Sequence, residues 1–296
     1  MYTKTLFLLF CIASCLLSAA QTAEWWERTV HWDGVSHWNH YIKFSPAYLG
    51  PNALPVPAVT NGETDSSHSV ALSAAGHFMP GDRTFNTVIK GNYSIVKRII
   101  SVDAMWVPVE IYTMSHALKE ERHVFYLAYN RNKAMGDLHL NFNIQLLSPD
   151  KYKHPLAFRA GYRYPTSSNV AAARMTDAPG YFFDMSTGGA LSKNRKWKYM
   201  AMAGFLVWQL NNDQAQNDAF LFGAGVEYNH RKFQLQTTVA GYLGYLNNGD
   251  QPVVGRIKAG TVKPGLNWQL QLQQGFHDFR YTSIEVGTRY IFKTRQ

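Results

Sequence analysis

From about residue 67 onward, hydrophobic and polar side chains alternate along most of the chain. Leu266, Trp268, Leu270 and Leu272 are interleaved with Asn267, Gln269, Gln271 and Gln273. Leu138, Leu140, Phe142, Ile144 and Leu146 are interleaved with His139, Asn141, Asn143 and Gln145, and Phe233, Leu235 and Val239 are set against Gln234, Gln236 and Thr238. A period of two puts successive side chains on opposite faces of a strand. The pattern predicts strands over 67–78, 85–95, 99–113, 137–147, 154–164, 181–190, 198–209, 218–228, 233–245, 252–262, 266–275 and 283–292, which makes about twelve. The fold class is all-β. Alternation of this kind suits a sheet with one wet face or a barrel with an apolar outside, and the local pattern does not separate the two.

The last segment is more specific. Ile284, Val286, Thr288, Tyr290 and Phe292 share one face, and Ser283, Glu285, Gly287 and Arg289 share the other. The series Glu285, Gly287, Tyr290, Phe292 resembles the C-terminal assembly signal of bacterial outer-membrane β-barrels, although Lys293-Thr294-Arg295-Gln296 follow where the signal usually ends the chain. The resemblance implies an antiparallel up-and-down transmembrane β-barrel of about twelve strands over residues 67–296, inserted by the barrel-assembly machinery. Strands of about ten residues are long enough to cross a bilayer when tilted.

With the final strand running toward the periplasm, the inner links are 262–266, 229–232, 191–197, 148–153 and 96–98, and they are short and rich in Lys and Arg. The outer links, 276–282, 246–251, 210–217, 165–180, 114–136 and 79–84, are mostly longer, and two of them are rich in amides and acids. Short inner and longer outer connections characterise such barrels. Trp208, Tyr228, Tyr245, Tyr290 and Phe292 lie near strand ends, where an interfacial aromatic girdle is expected. A soluble lipocalin-like barrel or sandwich is the alternative, and it requires polar residues outside.

Composition agrees with export to a membrane. Aromatic residues make up 14% and charged residues 17% of the chain, against roughly 25% charge in a typical soluble domain. Residues 1–20 read as a signal peptide, with Lys4, an apolar run from Leu6 to Leu17, and a small-residue site ending at Ala20. Ile12-Ala13-Ser14-Cys15 resembles a lipoprotein processing box, which leaves lipidation at Cys15 as an alternative. Both cysteines, Cys11 and Cys15, fall in this segment, so cleavage near Ala20 leaves no thiol for disulfides or metal. Without Lys4 there remain 28 basic and 20 acidic residues, a net of +8. For an exported chain that excess points to outer-membrane lipid or lipopolysaccharide and away from nucleic acid.

Residues 21–66 differ in texture. Trp25, Trp26, Trp32 and Trp38 are followed by Pro46, Pro51, Pro55 and Pro57. Prolines at that density remove ladder donors, so 46–57 is expected to be extended and irregular. The segment reads as a plug or a periplasmic cover, with a first strand around 38–45 as the alternative.

If the apolar face meets lipid, the lumen receives Lys90, Asp103, Glu110, Arg159, Arg163, Asp184, Glu227, Arg256, Lys258, Glu285 and Arg289. These charges must face water or one another. They form either a bracing salt-bridge network or a pore whose basic members (Arg159, Arg163, Arg256, Lys258, Arg289) attract anions. The leading functional expectation is a porin-like channel for small polar, including anionic, solutes. A closed barrel that binds through loops 114–136 and 165–180 is the second reading, and an outer-membrane hydrolase the third.

Catalytic signals are thin, and no catalytic set is assigned. His139 and Asn141 share the lumen face but do not match outer-membrane phospholipases, and His277-Asp278 has only part of an omptin protease's acidic and His set. His31, Asp33, His37 and His40 match no zinc spacing, and the 210–218 loop lacks the ligand order of a calcium loop. No cofactor is expected. Gly188-Gly189 and Gly223-Ala224-Gly225 sit within strands, where glycine marks close approach or a bend.

Overall fold

The structure is a computed structural model that describes residues 23–125, 131–176, 178–208 and 217–293. The expected signal peptide, with Cys15 and Ala20, lies outside these residues, as does most of the 210–218 loop. Fourteen strands are present: β1 (Ser69–Met79), β2 (Asp82–Val96), β3 (Ile100–Trp106), β4 (Glu110–Met114), β5 (Arg131–Ala134), β6 (Leu138–Leu147), β7 (Leu156–Tyr164), β8 (Gly180–Ala190), β9 (Trp197–Trp208), β10 (Asn217–His230), β11 (Phe233–Leu243), β12 (Val253–Thr261), β13 (Gly265–His277) and β14 (Thr282–Ile291). Sequential antiparallel pairing carries the wall around, and β1 bonds both to β2 and to β14. At that seam Ser69 lies opposite Ile291 and Phe78 opposite Thr282, so the barrel has no free edge.

The expected strand over 99–113 is interrupted. Ile89 of β2 faces Trp106 and Asn86 faces Glu110, so three residues, Val107-Pro108-Val109, span only Thr87 and Val88. This is a one-residue bulge at a proline that has no N–H to give the ladder. On the other side β4 pairs with β5 and β3 with β6. The four segments make two broken wall strands, and the closed ring has twelve. β5 falls inside the link expected at 114–136. So does α2 (His116–Glu121), capped by Ser115, whose Oγ accepts from the Leu118 amide at 3.3 Å.

Hydrophobic and polar positions are inverted relative to a soluble protein. Along β1, Val70, Leu72 and Phe78 point outward and Ser69, Ser73 and His77 point inward. Leu266 is 62% exposed, Phe205 59% and Val286 57%. Phe142 is exposed, Leu235 and Leu270 are half-buried, and none of the three joins the interior cluster. A soluble barrel would carry polar groups on this surface. One aromatic departs from the expected girdle: Trp208 is buried and packs 5.3 Å from Tyr242 inside. Its parity along β9 matches that of inward Met200, Met202 and Leu206, so the period of two turns it into the lumen.

One end of the barrel carries the turns 97–99, 148–155, 191–196, 231–232 and 262–264. The other carries the loops after β1, β4, β7, β11 and β13. The first of these is Pro80-Gly81, a tight hairpin with Gly81 at φ 82° in the left-handed region glycine tolerates.

Residues 23–48 cover the loop end, and residues 49–68 run the length of the lumen to the turn end. No strand occurs at 38–45; that stretch holds a 3-10 turn, Trp38–His40. With α1 (Ala23–Val30) it sits over the loop end, where Trp26 Nε1 donates to the His123 carbonyl at 3.3 Å. Trp26 also meets Phe125, Tyr41 and Trp32 edge-on at 5.1, 5.4 and 5.5 Å. The Ala47 amide donates to the Gly249 carbonyl at 3.1 Å, and from Leu49 the chain descends inside the wall. Ile42, Leu49, Leu54, Val56 and Val59 join Met200, Met202, Trp208, Leu221 and Tyr242 in one apolar cluster along β9, β10 and β11. At the turn end Lys198 pairs with Glu63 at 2.8 Å and Arg289 with Asp65 at 2.5 Å, just before β1 begins.

Candidate functional site

The internal segment sets the geometry of the site. Its prolines cannot donate, and an extended chain crossing a closed barrel has no edge strand to pair with, so its carbonyls need other donors. The wall supplies them from side chains. Arg163 donates to the Ala53 carbonyl at 3.3 Å and Tyr242 Oη to that of Leu54 at 3.1 Å, while Tyr281 Oη lies 3.4 Å from the Leu49 carbonyl. Arg256 reaches the carbonyls of Val56 at 2.6 Å and Pro57 at 3.2 Å, and Arg159 that of Ala58 at 2.9 Å. Two glycines make room on the wall. A Cβ on Gly188 would lie 2.4 Å from the Asn61 carbonyl oxygen, and one on Gly223 would lie 2.6 Å from Val59 Cγ2.

All eleven charges singled out from the sequence lie on inward positions, and most have partners. Lys90 pairs with Glu285 at 2.8 Å, Arg159 with Asp184 at 2.7 Å and Arg163 with Asp137 at 2.9 Å. Asp103 accepts from the amides of Asn141 at 2.7 Å and Asn143 at 2.9 Å. Glu227 accepts from Asn229 at 2.5 Å and Gln236 at 2.7 Å. Glu110 accepts from Asn52 at 2.6 Å and from Arg174. Arg256 Nε donates to Gln273 at 2.6 Å. Lys258 makes no hydrogen bond or ion pair with the described residues, and it faces open space. Of the five basic residues expected to attract anions, four are committed to carboxylates or to the internal segment.

The space left beside that segment is a cavity of roughly 530 Å³. Residues of every long wall strand but β10 line it, and Lys90, Asp103, Asn141, Lys258, Gln271 and Glu285 are among its walls. Its wall mixes amides and charges of both signs with apolar side chains such as Val56, Phe158 and Val207.

The loop end is closed by a buried cluster that sequence reasoning missed. Asp82, fully buried, accepts from Arg122 at 3.2 Å, from Tyr281 at 2.8 Å and from Arg174. Burial pushes the Tyr281 phenol up to about 12. For Arg174, burial alone would favour the neutral form, but Glu110 and Asp82 hold its guanidinium above its ordinary range. Arg122 and Arg174 come from stretches without period, where a lone Arg ordinarily reads as solvated.

The other candidates are not assembled into sites. Asn141 is engaged with Asp103, and His139 lines the cavity. His277 is exposed, 3.3 Å from Asp278 and 2.8 Å from the Gln251 carbonyl. Asp33 accepts from the amides of Val35 and Ser36 at 2.9 and 2.7 Å, and His37 contacts Asn39 at 2.7 Å. No group of three or more potential metal ligands occurs among the described residues.

No protein-family model matches the chain, and no curated protein matches it. Among solved structures, the COG4313 outer membrane channel from Pseudomonas putida F1 is similar with a TM-score of 0.60 at 10% identity, covering 80% of this chain and 100% of that one. The KdgM porin aligns over 75% of this chain and 99% of its own, with a TM-score of 0.44 and 6% identity. OprB from Pseudomonas putida aligns over 77% and 92%, at 0.36 and 11%. At such identities the likeness is one of fold, and only the first score is high enough to carry it. The chain has the closed, antiparallel, twelve-stranded fold of an outer-membrane β-barrel.

Proposed function

We propose that the chain is an outer-membrane channel for small polar solutes, anions among them, with residues 49–65 as its plug. The observation that carries this reading is the lumen itself. It holds an open cavity, with Lys90, Asp103, Lys258 and Glu285 on its wall among apolar side chains, beside a segment that side-chain donors hold, rather than a core packed solid. The apolar outer face supports insertion in the outer membrane after cleavage near Ala20, with lipid or lipopolysaccharide around the wall and the loop end outward. Lys258, facing the cavity without a partner, is the natural contact for an anion.

Recordings from planar bilayers test the reading. Full-length protein should conduct rarely and at low amplitude, and a form lacking residues 21–66 should conduct steadily. A folded truncated form that stays silent would remove the channel and leave a closed barrel with a structural or binding role. That second reading has less to rest on, because loops 114–136 and 165–180 turn Arg122 and Arg174 into the buried cluster rather than out to a partner.

A further inference from the structure

The net charge of the chain is concentrated in one place. The five turns 97–99, 148–155, 191–196, 231–232 and 262–264 hold ten Lys and Arg residues and a single acid, Asp150. Setting those aside leaves nineteen basic and nineteen acidic residues in the rest of the sequence, so the whole formal charge of +9 resides in these turns. Nine of the ten are exposed, and Lys196 is half-buried. Only Arg98 has a carboxylate among the described residues, Asp150 at 2.8 Å. In the lumen Lys90, Arg159, Arg163 and Arg289 each pair with a carboxylate, and this rim lacks that balance.

What lies just above the rim identifies its partner. Outward-facing aromatics border this end: Trp197, next to Lys196, meets Tyr228 at 4.8 Å, Phe233, next to Lys232, meets Trp268 at 6.4 Å, and Tyr290 meets Phe292, next to Lys293, at 5.1 Å. Rings of this kind settle at the boundary between hydrocarbon and headgroups. Cations one or two residues beyond them stand at the depth of the phosphates. Exposed Lys and Arg at that depth attract anionic lipid, and the attraction fades with salt.

We propose that this basic collar binds the headgroups of anionic phospholipids in the leaflet at the turn end of the barrel, which is the periplasmic one. The inference rests on the membrane reading of the outer face. The collar holds a shell of anionic lipid around the base of the barrel and fixes how deep the barrel sits.

Full-length protein reconstituted in phosphatidylcholine vesicles with spin-labelled phosphatidylglycerol or spin-labelled phosphatidylcholine tests it. The labelled anionic lipid should associate several-fold more strongly than the zwitterionic one, and added salt should erode the difference. Combined Lys193→Gln, Arg195→Gln, Arg231→Gln and Lys232→Gln changes should bring the ratio toward unity in barrels whose folding is confirmed by heat-dependent gel migration. An unchanged ratio in that variant, or no salt-sensitive preference in the wild type, overturns the proposal. Equal lipid association with salt-sensitive sedimentation on purified peptidoglycan would overturn it in favour of the cell wall. Failure to enter either vesicle would sink the membrane reading instead, so the two failures are distinguishable. The wild-type salt titration decides the matter even if the variant does not fold.

Discussion

Arg174 forks onto Glu110, with Nε 2.9 Å and Nη2 2.8 Å from the same carboxylate oxygen, and both side chains are fully buried. The arginine comes from the loop after β7 and the glutamate from the start of β4, 64 residues apart in sequence. Arg174 also touches Asp82, which Arg122 and Tyr281 share. Three loops therefore meet the start of β2 at one carboxylate, and the internal segment reaches the neighbouring one through Asn52, which donates to Glu110 at 2.6 Å. Removing one partner from such a buried set leaves an uncompensated charge, a loss of about 3–5 kcal/mol.

Asp82→Asn is accordingly expected to destabilise the loop end. Heat-dependent gel migration should show the folded band lost at lower temperature than in the wild type. Limited proteolysis should cut the 165–179 loop sooner. An unchanged melting temperature would mean that the cluster adds nothing net.

Gly188→Ala should displace the plug. Its Cβ would lie 2.4 Å from the Asn61 carbonyl oxygen and 2.9 Å from that of Tyr199, both backbone atoms that cannot swing away. Full-length channels with this change should open more often, approaching the form without residues 21–66. Gly91→Ala is the control, since nothing lies within 4 Å of its added carbon. Equal open probability in the two variants would argue against a plug held by close contact.

Lys258 and Arg256 should separate selectivity from gating. Lys258 has no hydrogen bond or ion pair among the described residues, so Lys258→Glu reverses a charge in the cavity and should move the reversal potential toward cation preference in a salt gradient. Arg256 holds the carbonyls of Val56 and Pro57, so Arg256→Ala should raise the open fraction. A Lys258→Glu channel with the wild-type reversal potential would remove the anion contact.

Docking of the N-terminal stretch should weaken in acid. Burial lowers the affinity of His123 for a proton, and nearby Lys43 lowers it further, against an opposing hydrogen bond from the ring to the Tyr41 carbonyl at 3.0 Å. The docked state therefore prefers neutral imidazole. Its contribution is present above the ordinary histidine pKa of about 6.5 and is lost as pH falls through the lower, docked value. Tryptophan fluorescence from the cluster around Trp26 should shift over that range, and His123→Gln should flatten the profile. An identical profile in the variant would assign the transition elsewhere.

Most of the wall was readable before the structure. Alternation over 266–275 and 283–292 locates β13 and β14 to within a residue or two, because each position there has lipid on one side and the lumen on the other. Alternation gives no signal where that contrast lapses. β5 is four residues with a single apolar member, too short for a period, and Pro108 broke a strand whose polarity ran on unchanged. Trp208 was assigned to the girdle on its position near a strand end, when its parity already placed it inside. Parity alone selects the eleven charges, and no periodicity shows which of them have partners.

The sequence by itself determined a run of about twelve strands, each with one apolar and one polar face, since side-chain direction along a strand is a local property fixed by a period of two. Only the tertiary structure decided what fills the lumen and which charges remain unspent. A plug segment and a buried Arg–Asp cluster are made by residues tens to hundreds of positions apart. Their meeting depends on how the ring closes, and no short window of sequence contains that.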